Sequence, residues 1–357
     1  DSSKFSTNKL RGKEGPSDPL TTKETKNLFK YLNTIRMNAT LFGQQYAMVR
    51  GVNGPMSYGK SEIYDITGDY PAVYGWDFGD VFKRNVGGWK RGREIPDMKL
   101  LIKEAYERGG IHTFSYHMSN PVTQHNSWDT TKAVSAILPG GYLNEQYKRT
   151  LDTIADYYLS LKGKNGELIP VIHRPFHEHN GRWFWWGKPH ASKEEFIQLW
   201  RFSIDYLRKE KKVHNLLVGY SPDTVATEAE YLEYYPGDEY VDVMGLDIYR
   251  DVENQDIKRF QYRLKLLVNL AEKHGKIPAL TETGYSVRTV KDWYTAFLLE
   301  VLKGDKDVQR LAYALIWGNF SKEHYFSIFP GHFNEENFRK FEKDPFIYFE
   351  KDLKGVY

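Results

Sequence analysis

Two short stretches carry side chains suited to acid–base and nucleophilic chemistry. The first runs His173-Arg174-Pro175-Phe176-His177-Glu178-His179-Asn180 and continues as Gly181-Arg182-Trp183-Phe184-Trp185-Trp186-Gly187; the second is Ala279-Leu280-Thr281-Glu282-Thr283-Gly284. Cleavage of a glycosidic bond needs two carboxyl groups in different protonation states, one to protonate the departing oxygen and one to attack or to position water. Glu178 precedes aromatic residues that would exclude water, raise its pKa and keep a proton available, which makes it the candidate general acid/base. Glu282 lies beside a tight Thr-Gly turn, where hydroxyls and the phenol of Tyr249 would hold its charge, which makes it the candidate nucleophile. A single glutamate at a strand end is more often a salt-bridge partner or helix cap. The tryptophan cluster after Glu178 and the pairing of two such ends favour catalysis here.

Other chemistries fit less well. The chain has no cysteine, which removes thiolate catalysis, disulfides and cysteine-ligated metals together. His173, His177 and His179 alternate on one face, but same-side strand residues lie about 7 Å apart, too spread for one ion without a bend. We therefore expect neither metal nor cofactor. Lone histidines such as His112 read first as packing residues. Asp247 precedes Tyr249 by two positions, so both face the same side of their strand, where Asp247 would contact substrate or orient a neighbour.

The elements that must bring Glu178 and Glu282 together are legible as alternating apolar runs and amphipathic stretches, the pattern of a parallel sheet. Eight candidate strands are Thr40–Gln45, Ala72–Phe78, Ile111–Met118, Leu168–Phe176, Leu216–Ser221, Val241–Tyr249, Ile277–Thr281 and Ala312–Trp317. Helical spacing marks Asp97–Arg108, Asn144–Leu161, Lys193–Lys209, Asp256–His274 and Val290–Leu302, with Trp200 and Trp293 as core residues. Ser192 with Glu195 reads as a capping box, and so does Thr21 with Glu24, which starts an extra N-terminal helix running to about Met37 over the barrel's lower end. With no linker dividing the strands, this is a single α/β (β/α)8 TIM barrel with elaborated βα loops. An open Rossmann-like sheet would need a Gly-x-Gly-x-x-Gly after its first strand, and none is present. Strands four and seven then face each other across the mouth. The long connections 79–96, with Lys83, Arg84, Lys90, Arg91 and Arg93, and 119–142, with His125 and Trp128, would shape the cleft.

The stretch 173–187 strongly resembles the acid/base signature of glycoside hydrolase family 26, whose best-known members are endo-β-1,4-mannanases, and the Thr-Glu-Thr-Gly at 281–284 resembles its nucleophile strand. The resemblance runs from about Met37 to Phe349. It implies a retaining glycosidase acting on mannan or galactomannan. Further roles follow from it. His177 and His117 would contact the sugar at the cleavage site, Trp183 would flank the acid/base, Tyr249 would hydrogen-bond the nucleophile, and Trp317 would be the platform under the sugar whose bond is cut. Some relatives place an arginine directly after that tryptophan to bind a more distant mannose, whereas Gly318-Asn319 stand here. The same chemistry on mixed-linkage β-glucan or β-1,3-xylan, or a non-catalytic carbohydrate-binding barrel, are the alternatives. A long 119–142 wall would favour release of mannobiose or short oligosaccharides from chain ends.

Composition bounds the partners. Of 357 residues, 50 are basic and 47 acidic, interspersed to a net charge of +3, which leaves no electrostatic footprint for nucleic acid. No apolar run is long enough to span a bilayer. Nine tryptophans, 26 tyrosines and 20 phenylalanines supply π faces that suit sugar C–H groups, although most must fill the core. Residues 1–19 read as a flexible segment left after removal of an export signal, with residues 20–357 as the catalytic domain of a secreted or periplasmic monomer.

Overall fold

The structure, a computed structural model, describes residues 15–82, 97–285 and 290–357. The basic group from Lys83 to Arg93 lies outside them. The barrel strands are β1 (Thr40–Gln45), β2 (Val73–Asp77), β3 (Ile111–Ser115), β4 (Val171–Arg174), β5 (Leu216–Tyr220), β6 (Val243–Asp247), β7 (Ile277–Thr283) and β8 (Tyr313–Ile316). Each pairs in parallel with the next, and β1 closes the ring on β8 with Leu41 opposite Tyr313. Every residue of the eight strands is buried. Strands covered on both faces can be continuously apolar instead of alternating, because side chains fill the barrel inside and helices cover it outside. The expected single (β/α)8 barrel is the fold found.

Helices α1 (Lys23–Ile35), α2 (Met98–Glu107), α3 (Asn144–Ser160), α4 (Lys193–Asp205) and α5 (Ile257–Lys273) follow the expected periodicity. In α5, Phe260, Leu264, Leu267, Val268 and Ala271 form the buried stripe that lies on the sheet. The Ser192–Glu195 capping box is present at the start of α4. At α1 the cap differs from expectation by one residue. Thr22, not Thr21, caps the helix by accepting from the Thr25 N–H, while the Thr21 hydroxyl donates to the Asp18 carbonyl. Helix α1 does lie against the N-terminal ends of the strands: the Thr22 N–H donates to the His214 carbonyl just before β5, and buried Arg36 donates to Glu272 and to the Arg310 carbonyl. A cleft of about 720 Å3 opens beside it, lined by Asp18, Lys30, Arg36 and Lys276 among others. It lies on the opposite face from the carboxylates.

Two long helical patterns end differently from their sequence reading. Tyr206–Glu210 and Trp293–Leu299 are π-helical, so the stretches read as 193–209 and 290–302 are not regular α-helix throughout. Trp200 and Trp293 are fully buried, as expected of core. Several strands are also shorter than the apolar runs that announce them. The run 168–176 yields a ladder only from Val171 to Arg174, because Pro175 has no N–H to donate and Phe176 turns into left-handed backbone with φ 49°.

Candidate active site

The turn after β4 delivers Glu178. Phe176 and Glu178 both have positive φ, 49° and 55°. Such backbone costs a non-glycine residue on the order of 1 kcal/mol and concentrates at functional sites. The Glu178 N–H is tied to the Ser221 carbonyl beyond β5 at 2.8 Å. Its carboxyl accepts from the Trp183 indole at 2.9 Å. That indole can fold back only because residue 181 is glycine: a Cβ there would stand 2.3 Å from the ring. Trp185 and Trp186 are fully buried and donate to the Met118 and His177 carbonyls instead of to Glu178.

Glu282 is delivered by a bulge in β7. Leu246 pairs with Leu280 but Asp247 pairs with Glu282, so Thr281 is the extra residue, and the pairing with β8 shifts at the same place. Thr281 donates to Asp247 at 2.7 Å, and Gly245 opposite it has no room for a Cβ, which would fall 2.4 Å from the threonine side chain. Buried Glu282 accepts from Tyr249 at 2.9 Å and from Arg174 at 2.5 Å. Arg174 also holds Asp247, at 3.1 Å, and Ser221, at 2.9 Å.

Glu178, Asp247, Glu282 and His177 thus converge, each offering one atom within 4.8 Å of the others. Burial, followed by the charges of Glu282, Asp247 and Asp223, pushes the Glu178 carboxyl well above its ordinary value. Asp247, fully enclosed, is raised to about 8 by burial, with Arg174 opposing the shift and Glu282 adding to it. Burial and then Glu282 also keep the Tyr249 phenol protonated, as a donor should be. The same closeness of ligand atoms would suit a divalent cation. Arg174 already sets a fixed positive charge on two of the carboxylates, however, and burial beside them pushes the third, Glu178, toward its protonated form.

The remaining expected residues line the same mouth. His117 follows β3; its Nδ1 is 2.7 Å from Asp77, whose carboxyl burial would raise but the histidine, Ser115 and the Gly79 N–H together hold below its usual value. Its ring packs within 5.6 Å of His177, Trp317, Trp128 and Phe184. Burial, then His117 and Arg174, lowers the His177 pKa far below its ordinary value, so a neutral imidazole stands 3.9 Å from Glu282. The other histidines have separate tasks. His173 meets the Tyr158 hydroxyl, His179 the Tyr220 hydroxyl and His112 the Trp76 indole, and burial lowers each of the three to about 3.

Sequence reasoning passed over two residues of this site. Arg174 stands inside the quoted motif, and its spacing of four before Glu178 was the available signal, but only the fold brings Asp247 and Glu282 to it. Asp77, at the end of β2, orients His117 and carried no local mark.

A family model described as glycosyl hydrolase family 26 matches residues 17–323. The chain is 38% identical over 321 residues to a mannan endo-1,4-beta-mannosidase of Bifidobacterium adolescentis, covering 85% of this chain and 32% of that protein. It is 29% identical to a mannan endo-1,4-beta-mannosidase of Bacillus subtilis, covering 66% of this chain and 65% of the relative. The chain therefore spans less than two thirds of either relative. Among solved structures, a GH26 beta-mannanase from Bacteroides ovatus superposes with TM-score 0.86 at 36% identity, covering 94% of this chain and 98% of the other. A modular endo-beta-1,4-mannanase from Cellulomonas fimi superposes with TM-score 0.88 at 33% identity, covering 96% and 79%. A family match over most of the barrel, with two opposed carboxyls at its mouth, leaves one conclusion: the chain belongs to glycosyl hydrolase family 26.

Proposed function

We propose that the protein hydrolyses β-1,4-mannosidic bonds in mannan with retention of configuration, Glu282 acting as nucleophile and Glu178 as acid/base. The observation that carries this reading is the contrast between two carboxyls held within 4.8 Å of each other. Glu282 is braced by a guanidinium and a phenol, while Glu178 faces other carboxyls and keeps its proton. Retaining glycosidases hold their carboxyls about 5–5.5 Å apart, whereas inverting ones leave roughly 6.5–9.5 Å for a water. The names of the relatives, mannan endo-1,4-beta-mannosidases, support the polymer and internal cleavage.

The chemistry follows from the charges. Glu282 attacks the anomeric carbon as Glu178 passes its proton to the leaving oxygen, and a glycosyl ester forms on Glu282. Esterification removes the Glu282 charge, one of the causes that raise the Glu178 pKa. Glu178, which has given up its proton, is thereby stabilised as a carboxylate and takes a proton from the water that attacks the anomeric carbon, releasing the sugar and freeing Glu282. His117 and His177, neutral or held by Asp77, present ring nitrogens to sugar hydroxyls, and Trp317 offers its face beneath the sugar.

The decisive experiment pairs Glu178→Gln and Glu282→Gln on mannan and on manno-oligosaccharides, with NMR of the first-formed anomer from the parent protein. Each substitution should lower kcat by at least roughly 1,000-fold, the scale expected when a whole catalytic group is lost. An α-anomer as first product, or a variant with substantial turnover, would refute the assignment.

A further inference from the structure

Resting on that reading, we propose that Glu62 is a positioning residue of the reaction: through Asn319 it fixes the connection after β8, and with it the Trp317 platform and the Tyr249 phenol that holds Glu282. Asn319 stands two residues beyond Trp317 and is fully buried. Its amide is used to capacity, since an asparagine side chain has two N–H donors and two acceptor lone pairs. The oxygen accepts from the Phe326 and Ser327 N–H groups at 3.2 and 2.9 Å. The nitrogen donates to the Ile328 carbonyl at 3.1 Å and to the Glu62 carboxylate at 2.8 Å.

Glu62 comes to that amide from a different part of the chain. It opens the short helix Glu62–Thr67 in the connection between β1 and β2. Its other oxygen accepts from the Val52 N–H at 2.8 Å, so one carboxylate joins the connection after β1 to the connection after β8, beside the seam where the ring of strands closes. A Cβ at residue 51 would fall 2.7 Å from the oxygen that Val52 meets, so the approach needs Gly51. Val52 also packs with Tyr325 and Phe329 in a small apolar cluster apart from the main core, a second tie between the same two connections. Burial pushes the Glu62 pKa up, and the bonds from Asn319 and Val52 oppose the shift.

The effect reaches Glu282 by contact. Phe326 is held by its N–H on Asn319 and by its carbonyl, which accepts from the Tyr285 N–H at 3.1 Å, and its ring stands edge-on to Tyr249 at 5.7 Å and 70°. The Tyr249 hydroxyl donates to Glu282 at 2.9 Å. Trp317 begins the same connection, its N–H on the Thr283 carbonyl at 2.7 Å and its ring 5.6 Å from that of Tyr46. Glu62 keeps only 6% of its surface open, so its influence on the reaction passes through these neighbours. A misplacement of about 1 Å in groups that align a substrate costs on the order of 100-fold in rate, which is the scale a loosened connection would reach.

Glu62→Gln, Asn319→Asp and the double variant, assayed on mannohexaose at 25 °C beside thermal melts, test this. The parent protein is measured first: if it cleaves no β-1,4-manno-oligosaccharide, the functional reading falls and this inference with it. Given parental activity, Glu62→Gln turns a donor toward either Val52 or Asn319, and kcat should fall roughly 10- to 100-fold with a much smaller change in KM. Asn319→Asp alone sets two carboxylates together and should lose at least as much. The double variant inverts the pair: the new amide at position 62 donates to the new carboxylate at position 319 while still accepting from Val52, and most of the lost kcat should return. Phe326→Leu removes the ring behind Tyr249 but keeps the bond to Asn319, which comes from its backbone. It should reproduce the fall in kcat, and it carries the test if Glu62→Gln does not fold. A lower Tm with unchanged kcat in Glu62→Gln, a double variant no better than the single ones, or an unaltered kcat in Phe326→Leu would reduce the Glu62–Asn319 pair to a brace of the fold and overturn the proposal.

Discussion

Three carboxyl groups and one guanidinium meet in the barrel mouth, so the charge on each acid depends on the others. Glu178 keeps its proton because of burial first and then the negative charges of Glu282 and Asp247. Replacing Asp247 by asparagine removes one of those charges, so the Glu178 pKa should fall. The alkaline limb of kcat/KM against pH, where the acid is lost from the free enzyme, should move to lower pH. An unmoved limb would show that Asp247 carries no charge in the working range. The same raised pKa has a cost in stability. A carboxyl whose native pKa exceeds its unfolded value of about 4.3 leaves the native state holding more protons than the unfolded chain. Stability then falls as pH rises from the unfolded value toward the native one, by about 1.4 kcal/mol per pH unit for one such group. Glu178→Gln, neutral throughout, should therefore unfold a few degrees higher than the parent at pH 7, with the gap closing near pH 4 in a series of thermal melts.

Among the elements, the bulged β7 strand aims Glu282, and its geometry depends on a glycine in the strand beside it. Gly245→Ala would set a Cβ 2.4 Å from Thr281, displacing the side chain that hydrogen-bonds Asp247. We expect a destabilisation of about 1–3 kcal/mol, typical of overpacking, together with a larger fall in kcat than in substrate affinity. Denaturant melts and steady-state kinetics on the same preparation would check both. The elements also mark what could be read without coordinates. Glu178 and Glu282 announced themselves because each ends an apolar run next to a motif with local chemistry. The strand alternation and the Ser192–Glu195 cap were legible for the same reason, being set by neighbours in sequence. Arg174 was not, because its role exists only when the closed barrel turns the ends of β4, β6 and β7 toward one another. Nor were the π-helical turns at Tyr206 and Trp293, whose apolar spacing differs little from that of an α-helix, and the choice between Thr21 and Thr22 as cap turned on a contact with Asp18. Strand ends were read too long wherever the apolar run outlasted the ladder, as at Pro175.

Across the whole molecule, the two mouths of the barrel divide their tasks. The upper rim holds the carboxyls, and the lower is closed by α1, fastened through Arg36 to Glu272 and to the Arg310 carbonyl. Arg36→Ala should lower stability by about 1–3 kcal/mol, since it removes the partner of a part-buried carbonyl and of Glu272, and should leave kcat/KM at 25 °C unaltered. Thermal unfolding beside kinetics would measure both, and a fall in kcat/KM without a fall in Tm would contradict the division. Arg174 extends this logic to the time axis. Its partners lie 73 and 108 residues further along the chain, so no contiguous fragment of the early barrel can assemble the site. Contacts of such separation form late, after chain entropy has been lost elsewhere. During refolding, turnover should therefore be the last signal to return, so that enzymatic competence serves as a report that the ring of strands has closed.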